Sequence, residues 1–138
     1  MKLSEYEASC HLIITVKVLS TNITTGVTTA GKIQFADLAG VVIENTDDSP
    51  SDWKFSNRSL ETLRECVEAR IQFERSVPYR TSTLTHLLRD NLEADTKMIV
   101  IACVSAEKVE QSLATLKFAS RMRRVFIGRA TRHTVTAP

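Results

Sequence analysis

Apolar residues recur along this chain with two different periods, and the changes between them mark its elements. His11–Val18 and Gly31–Leu38 read as two strands. The Thr- and Gly-containing stretch LSTNITTGVTTA joins them, so the simplest connection is an antiparallel hairpin. Val41–Trp53 reads as a loop ending near Pro50 and Ser51. From Ser56 to about Glu74, Leu60, Leu63, Val67 and Ile71 fall on one helical face, with Ser56 as N-cap. Pro78 fixes its own φ and holds Val77 extended, and Thr81 and Ser82 can cap a helix with Leu84, Leu87, Leu88 and Leu92 as its apolar face. Met98–Val104 is apolar throughout, which suits a strand covered on both faces. A last helix is expected from about Glu107 to Arg124, with Val109, Leu113, Leu116 and Ser120 toward the sheet. Strands separated by helices imply an α/β layer architecture.

Composition narrows the class. With 138 residues, 43% hydrophobic and 25% charged, the chain can bury one core. It has no apolar run long enough for a membrane helix, and Met1–Cys10 lacks the pattern of a secretory signal, so a cytoplasmic, non-secreted protein is expected. Cys10, Cys66 and Cys103 are scattered without C-x-x-C spacing, and reduced buried thiols are expected in place of a disulfide or zinc site. The net charge is +2, yet Thr115–Pro138 carries Lys117, Arg121, Arg123, Arg124, Arg129 and Arg132 with no acidic residue. Such an end can meet an acidic protein surface, nucleic acid or an anionic membrane. Nucleic acid ranks second as a partner, because aromatics interleave poorly with the basic residues and no binding-module signature occurs.

Five stretches, in one order, resemble the carboxyl-terminal half of the kinesin motor domain. VPYRTSTLTHLLRDNL, Val77–Leu92, with the following MIVIACVS, Met98–Ser105, is the most specific. GKIQFADLAG, Gly31–Gly40, looks like the switch II strand and turn, and SNRSLETL, Ser56–Leu63, like the start of the next helix. SLATLKFASRMRRV, Ser112–Val125, is similar to the last core helix, and SCHLIITVKV, Ser9–Val18, to the strand after switch I. The wording RMRRVFIGRATRH is similar to the end of kinesins with a C-terminal motor. The resemblance implies a partial α/β sheet of the P-loop NTPase type with flanking helices, lacking the amino-terminal half, over residues 1–127, then a basic tail at 128–138. It also implies that the strand between those resembling Gly31–Leu38 and Met98–Val104 is missing. The sheet must then close by repacking, receive a strand from a partner, or stay incomplete.

The family's ATP and magnesium chemistry needs a phosphate cradle, and no G-x-x-x-x-G-K-[ST] occurs here. In the switch II pattern Asp37, Leu38, Ala39 and Gly40 match, while Val41 and Val42 stand for Ser and Glu. Ala8, Ser9, Cys10 and His11 fall over the family's S-R-S-H, so both ends of the switch ion pair are absent, as Ser9 and Val42. The expectation is no catalytic residue, no metal site and no cofactor held by this chain alone. Asp37 and Gly40 are the residual nucleotide-binding candidates, with a turn role as the alternative for Asp37.

For the filament-facing side the resemblance picks out Asn57 and Arg58, then Tyr79 and Arg80, then His86 and Arg89. Thr81 and Thr83 replace a usual Asp and Lys, and Glu44, Asp47, Asp48 and Asp52 place acid where active motors carry base. The implied partner is the microtubule, with a kinesin-like partner chain as a second and no membrane. The implied function is a microtubule-binding kinesin-like segment of the cytoskeleton without independent ATPase activity. The rivals are the carboxyl half of an active ATP-dependent motor and a decayed α/β interaction scaffold.

Overall fold

The computed structural model describes residues 10–40, 51–93, 95–129 and 134–135, with the backbone alone at 51–56 and 134–135. Strands β1 (Leu12–Thr21) and β2 (Thr28–Asp37) form the expected antiparallel hairpin, in register from Leu12↔Asp37 to Thr21↔Thr28. Both strands are longer than expected, because half of the polar linker is strand and only Asn22–Val27 turns. Asn22 Oδ1 accepts from the Thr24 and Thr25 amides at 2.9 and 3.0 Å, and Gly26 supplies the positive φ of +70° that the reversal needs. A short β3 (Thr134–Val135) pairs with Thr28 and Thr29.

Helix α1 spans Ser51–Ile71. It begins five residues earlier than expected, so Ser56 lies inside it and is no N-cap, and Ser51–Trp53 belong to helix. Residues 41–50, the rest of the expected loop with Glu44, Asp47 and Asp48, lie outside the described residues. At its other end the Glu74 amide bonds the Ala69 carbonyl at 2.9 Å and the Phe73 amide the Arg70 carbonyl at 3.3 Å, with Phe73 at φ +55°. This is a Schellman closure with a bulky residue where glycine is usual.

Helix α2 (Thr83–Glu93) is capped by Ser82, as expected. Ser82 Oγ accepts from the Thr85 amide at 3.1 Å, and Thr85 Oγ1 accepts in return from the Ser82 amide at 3.3 Å. Thr85 thus takes the reciprocal role that Glu or Gln has in a capping box. The buried face is Leu84, Thr85, Leu88 and Leu92, whereas Leu87 is exposed. Helix α3 spans Val109–Met122.

The core lies where α1 and α2 meet the end of α3. Leu63, Cys66, Val67, Tyr79, Leu84, Leu88, Leu92, Met122 and Val125 form one buried cluster, and Leu60, Ile71, Ile13, Met98 and Phe118 pack against it. Arg121 of α3 reaches Glu68 of α1 at 3.1 Å, and Lys32 of β2 reaches Asp90 of α2 at 2.9 Å. Gln34 of β2 also bonds Asn91 of α2. One side of the hairpin is thereby tied to α2. Burial pushes the Cys66 thiol up to about 11, with Glu65 adding to the effect, so this cysteine is an unreactive core residue. Cys10 and Cys103, expected to be buried, are exposed, and none of the three cysteines is in a disulfide.

Two expectations fail together. Met98–Val104 is not a strand: it pairs with no described strand, and Ile99 and Ile101 are 88% and 84% exposed. Val109, Leu113 and Leu116 of α3 do not face a sheet either and stand exposed, as does Ser120. A strand is completed by its neighbour's N–H and C=O groups, and apolarity alone does not supply them. Among the described residues, the sheet has not closed by repacking.

Candidate functional site

The loop between α1 and α2 starts from the Schellman turn and returns through Val77, Pro78 and the Tyr79–Thr81 turn. It leaves an open groove of about 560 Å³ between the end of α1 and the exposed side of α2. Arg70, Arg75, Arg80 and Arg89 line it with His86, Tyr79 and two carboxylates, Glu74 and Glu93. Four guanidinium groups against two carboxylates make the groove a cationic surface, fitted to an acidic partner.

Its floor is fixed by the core. Tyr79 is buried, and its carbonyl accepts from Thr85 Oγ1 at 2.9 Å, which pins the turn to the first turn of α2. Burial raises the Tyr79 phenol above its usual range, and the charge of Arg70 partly offsets this. Arg70 Nη2 donates to the Glu93 carbonyl at 2.6 Å and to the Phe126 carbonyl at 3.3 Å, so it joins α1, the end of α2 and the chain after α3. Arg89 pairs with Glu93 one helical turn on, at 3.0 Å, and that hydrogen bond raises its already high pKa. Arg80 and His86 are exposed.

Of the residues singled out in the sequence, Tyr79, Arg80, His86 and Arg89 come together here. Asn57 and Arg58 do not: they lie on α1 about 18 Å along its axis from Arg70, at 1.5 Å per residue. Arg58 is exposed and Asn57 half-buried. Sequence reading missed Arg70 and Arg75. The signal for Arg70 was present, since it lies in the last turn of a helix whose apolar positions were already assigned, one residue before Ile71.

Asp37 and Gly40 occupy the exposed end of β2 and the turn beyond. A Cβ placed on Gly40 would meet nothing within 4 Å, so among the described residues its backbone is not pressed against any neighbour. GVTTAGKI, Gly26–Ile33, departs from the P-loop pattern at Ile33, but Thr28–Ile33 is ladder-paired strand in place of a loop opening a helix. Lys32, which would be its phosphate lysine, is tied to Asp90.

Three of the resembling stretches meet at His11. Its Nδ1 accepts from the Ala39 amide at 2.9 Å, which leaves Nε2 as the protonated nitrogen donating to Ser59 Oγ at 2.6 Å. The start of β1, the turn after β2 and α1 are joined through one neutral imidazole. Burial lowers its pKa from 6.5, and an imidazolium has no lone pair for Ala39. The unfolded chain therefore takes up the proton first as pH falls. Stability should be full above about 6.5 and decline below it. Urea midpoints measured from pH 7.5 to 5.5 should fall in the native chain and flatten in His11→Ala.

A comparison with known proteins places these features. The kinesin motor domain family model matches residues 2–125. The chain belongs to the kinesin motor domain family. It is 34% identical to kinesin-like protein KIN-14E of Oryza sativa subsp. japonica over 97% of its own length and 13% of that protein's. It is likewise 34% identical to kinesin-like protein klp-3 of Caenorhabditis elegans, over 84% of this chain and 20% of that one. Among solved structures, the motor domain of the Kar3-like kinesin from Ashbya gossypii superposes with a TM-score of 0.74 at 29% identity, covering 86% of this chain and 41% of that one. The kinesin-type architecture is therefore partial: less than half of the solved motor chain has a counterpart here.

Proposed function

We propose that this chain is a microtubule-binding segment of kinesin type, acting in the cytoskeleton of the cytoplasm, that does not hydrolyse ATP on its own. The observation that carries this reading is the cationic groove, built on the two helices and loop that resemble the microtubule-facing elements of kinesins. Arg58, exposed on α1 outside the groove, is a separate positive charge on the same reading. A microtubule is the partner that fits, since tubulin's surface is acidic, and a kinesin-like partner chain belongs to the same reading.

Co-sedimentation with microtubules tests it. Binding should weaken as salt rises, because the Debye length falls from about 10 Å at 0.1 M to about 3 Å at 1 M. Arg58→Glu with Arg80→Glu should reduce it by at least about tenfold, and Asp47→Lys with Asp48→Lys should strengthen it. Truncation after Gly128 removes the basic tail with Arg129 and Arg132 yet keeps Phe126. Binding that vanishes on truncation and survives the double arginine change would assign the attraction to the tail and reject the groove.

The residues present do not fit ATP and magnesium. The near-P-loop stretch is strand, Lys32 is engaged, and neither partner of the family's switch ion pair is in the sequence. The melting temperature should be unmoved by MgATP, whereas a ligand at a hundred times its Kd would add about 2.7 kcal/mol. A clear rise would refute the nucleotide part of this reading. The 41% coverage of the solved motor favours one alternative, the carboxyl half of an active motor whose nucleotide site lies in the remainder.

A further inference from the structure

The groove between α1 and α2 holds positive charge that the chain itself does not use. Arg70 is engaged with the Glu93 and Phe126 carbonyls, and Arg89 with the Glu93 carboxylate. Arg75 and Arg80 are exposed, and neither makes an ion pair or side-chain hydrogen bond with another described residue. Arg70 Nε and the phenol oxygen of Tyr79, a residue 6% exposed, are buried without a hydrogen-bond partner among the described residues, and both residues line the groove. Buried polar groups are nearly always satisfied, so this wall has donors that the chain leaves unmet. Two hydroxyl side chains line the same groove, Ser76 and Thr81. The neighbouring Ser82 is half-buried and its Oγ is engaged with Thr85 as the α2 cap. Thr81 is exposed, its amide is tied to the Pro78 carbonyl at 3.2 Å, and its hydroxyl bonds no described residue. It lies two residues before α2, where the positive end of the helix dipole adds to the charge of Arg80 beside it. Ser76 lacks that second contribution.

We propose that Thr81 is a phosphorylation site whose phosphate is held by Arg75 and Arg80 and closes the groove to acidic partners. A serine/threonine protein kinase transfers the γ-phosphoryl group of ATP to Thr81 Oγ1. The new O–P bond forms as the bond from phosphorus to the ADP oxygen breaks, and the hydroxyl proton passes to the kinase's base. The product carries about −1.5 to −2 charge and three strong acceptor oxygens, the group that guanidinium forks bind best. Four arginines against Glu74 and Glu93 leave the groove a surplus of positive charge, and such a phosphate cancels it. Thr81 also stands where the family usually has Asp, so the modification returns negative charge to that position. The closing of the groove rests on its reading as the site of an acidic partner, whereas the capture of the phosphate does not.

Two experiments on the full 138-residue chain test this. In the first, the chain is expressed in insect cells, purified with phosphatase inhibitors present, and its phosphate groups are mapped by mass spectrometry. Phosphate is expected at Thr81 and should be lost in Thr81→Val. Phosphate confined to Ser76, Ser82 or Thr83, or absent altogether, overturns the assignment. In the second, phosphothreonine is installed at position 81 during translation, and the arginine Nε–H signals are followed by NMR. Those of Arg75 and Arg80 should shift, and their exchange with water should slow at least about tenfold, because charge-assisted hydrogen bonds now hold them. Phosphoserine installed at position 76 should give a smaller effect. Unchanged arginine signals in the phosphorylated chain, with circular dichroism showing it folded, refute the capture of the phosphate. Hexaglutamate serves as a probe of acid recognition that needs no tubulin: its affinity should fall at least about tenfold on phosphorylation. Equal affinity in both forms, or no binding to the unmodified chain, refutes the closing of the groove. Microtubule co-sedimentation of the unmodified chain is read separately, so the filament reading can fail while the arginine signals still decide the fate of the phosphate.

Discussion

Leu63→Ala should cost about 2–5 kcal/mol, the usual range for deleting a fully buried leucine side chain and leaving a cavity. Leu63 is 2% exposed at the centre of the cluster that joins α1 to α2 and the end of α3. A typical domain has only about 5–15 kcal/mol in total, and this one leaves much of its apolar surface uncovered. The variant should therefore lose its cooperative urea transition at 25 °C, monitored by far-ultraviolet circular dichroism. A midpoint within experimental error of the native chain's would show that the cluster is not the source of stability. Leu87→Ala is the matched control: the same change on the same core's neighbouring helix, at a residue 49% exposed, should cost far less.

Thr85→Val should cost about 1–3 kcal/mol although it preserves shape and volume, because one buried and one half-buried backbone group lose their partner. The Tyr79 carbonyl loses its 2.9 Å donor and the Ser82 amide its 3.3 Å acceptor. The effect should be local. Amide exchange at Thr81 and Ser82 should speed up before the rest of α2 opens, and microtubule co-sedimentation should weaken through a less ordered Arg80. Thr85→Ser retains the hydroxyl and should keep the exchange pattern; if it behaves as Thr85→Val does, the methyl group and not the hydrogen bonds holds the turn.

Ser82 and Leu84, Leu88 and Leu92 were legible because a cap and a periodic face are encoded within a few neighbouring residues, while Leu87, expected on that face, stands exposed. The hairpin was legible for the same reason, its turn chemistry lying between two strand-forming runs. The start of α1 was not: the polar run Ser56–Ser59 imitates an N-terminus, while the helix already begins at Ser51. Met98–Val104 shows the other kind of limit. Its residues state a preference for a doubly covered strand, but coverage is a property of neighbours. The groove was half legible. Arg80, His86 and Arg89 follow from a local resemblance, whereas Arg70 enters through bonds to Glu93 and Phe126 that only the tertiary fold creates.

That guanidinium also has a mechanical meaning. Phe126 lies two residues before Gly128, which takes a positive φ of +80°. A pull on the chain beyond Gly128 loads the Phe126 carbonyl, and Arg70 passes the load to the end of α2 and to the wall of the groove. The path crosses one side chain and two hydrogen bonds. It runs beside the covalent route through α3 and the Arg121–Glu68 bridge, so tension applied between Gly128 and β3 and occupancy of the groove act on the same clasp.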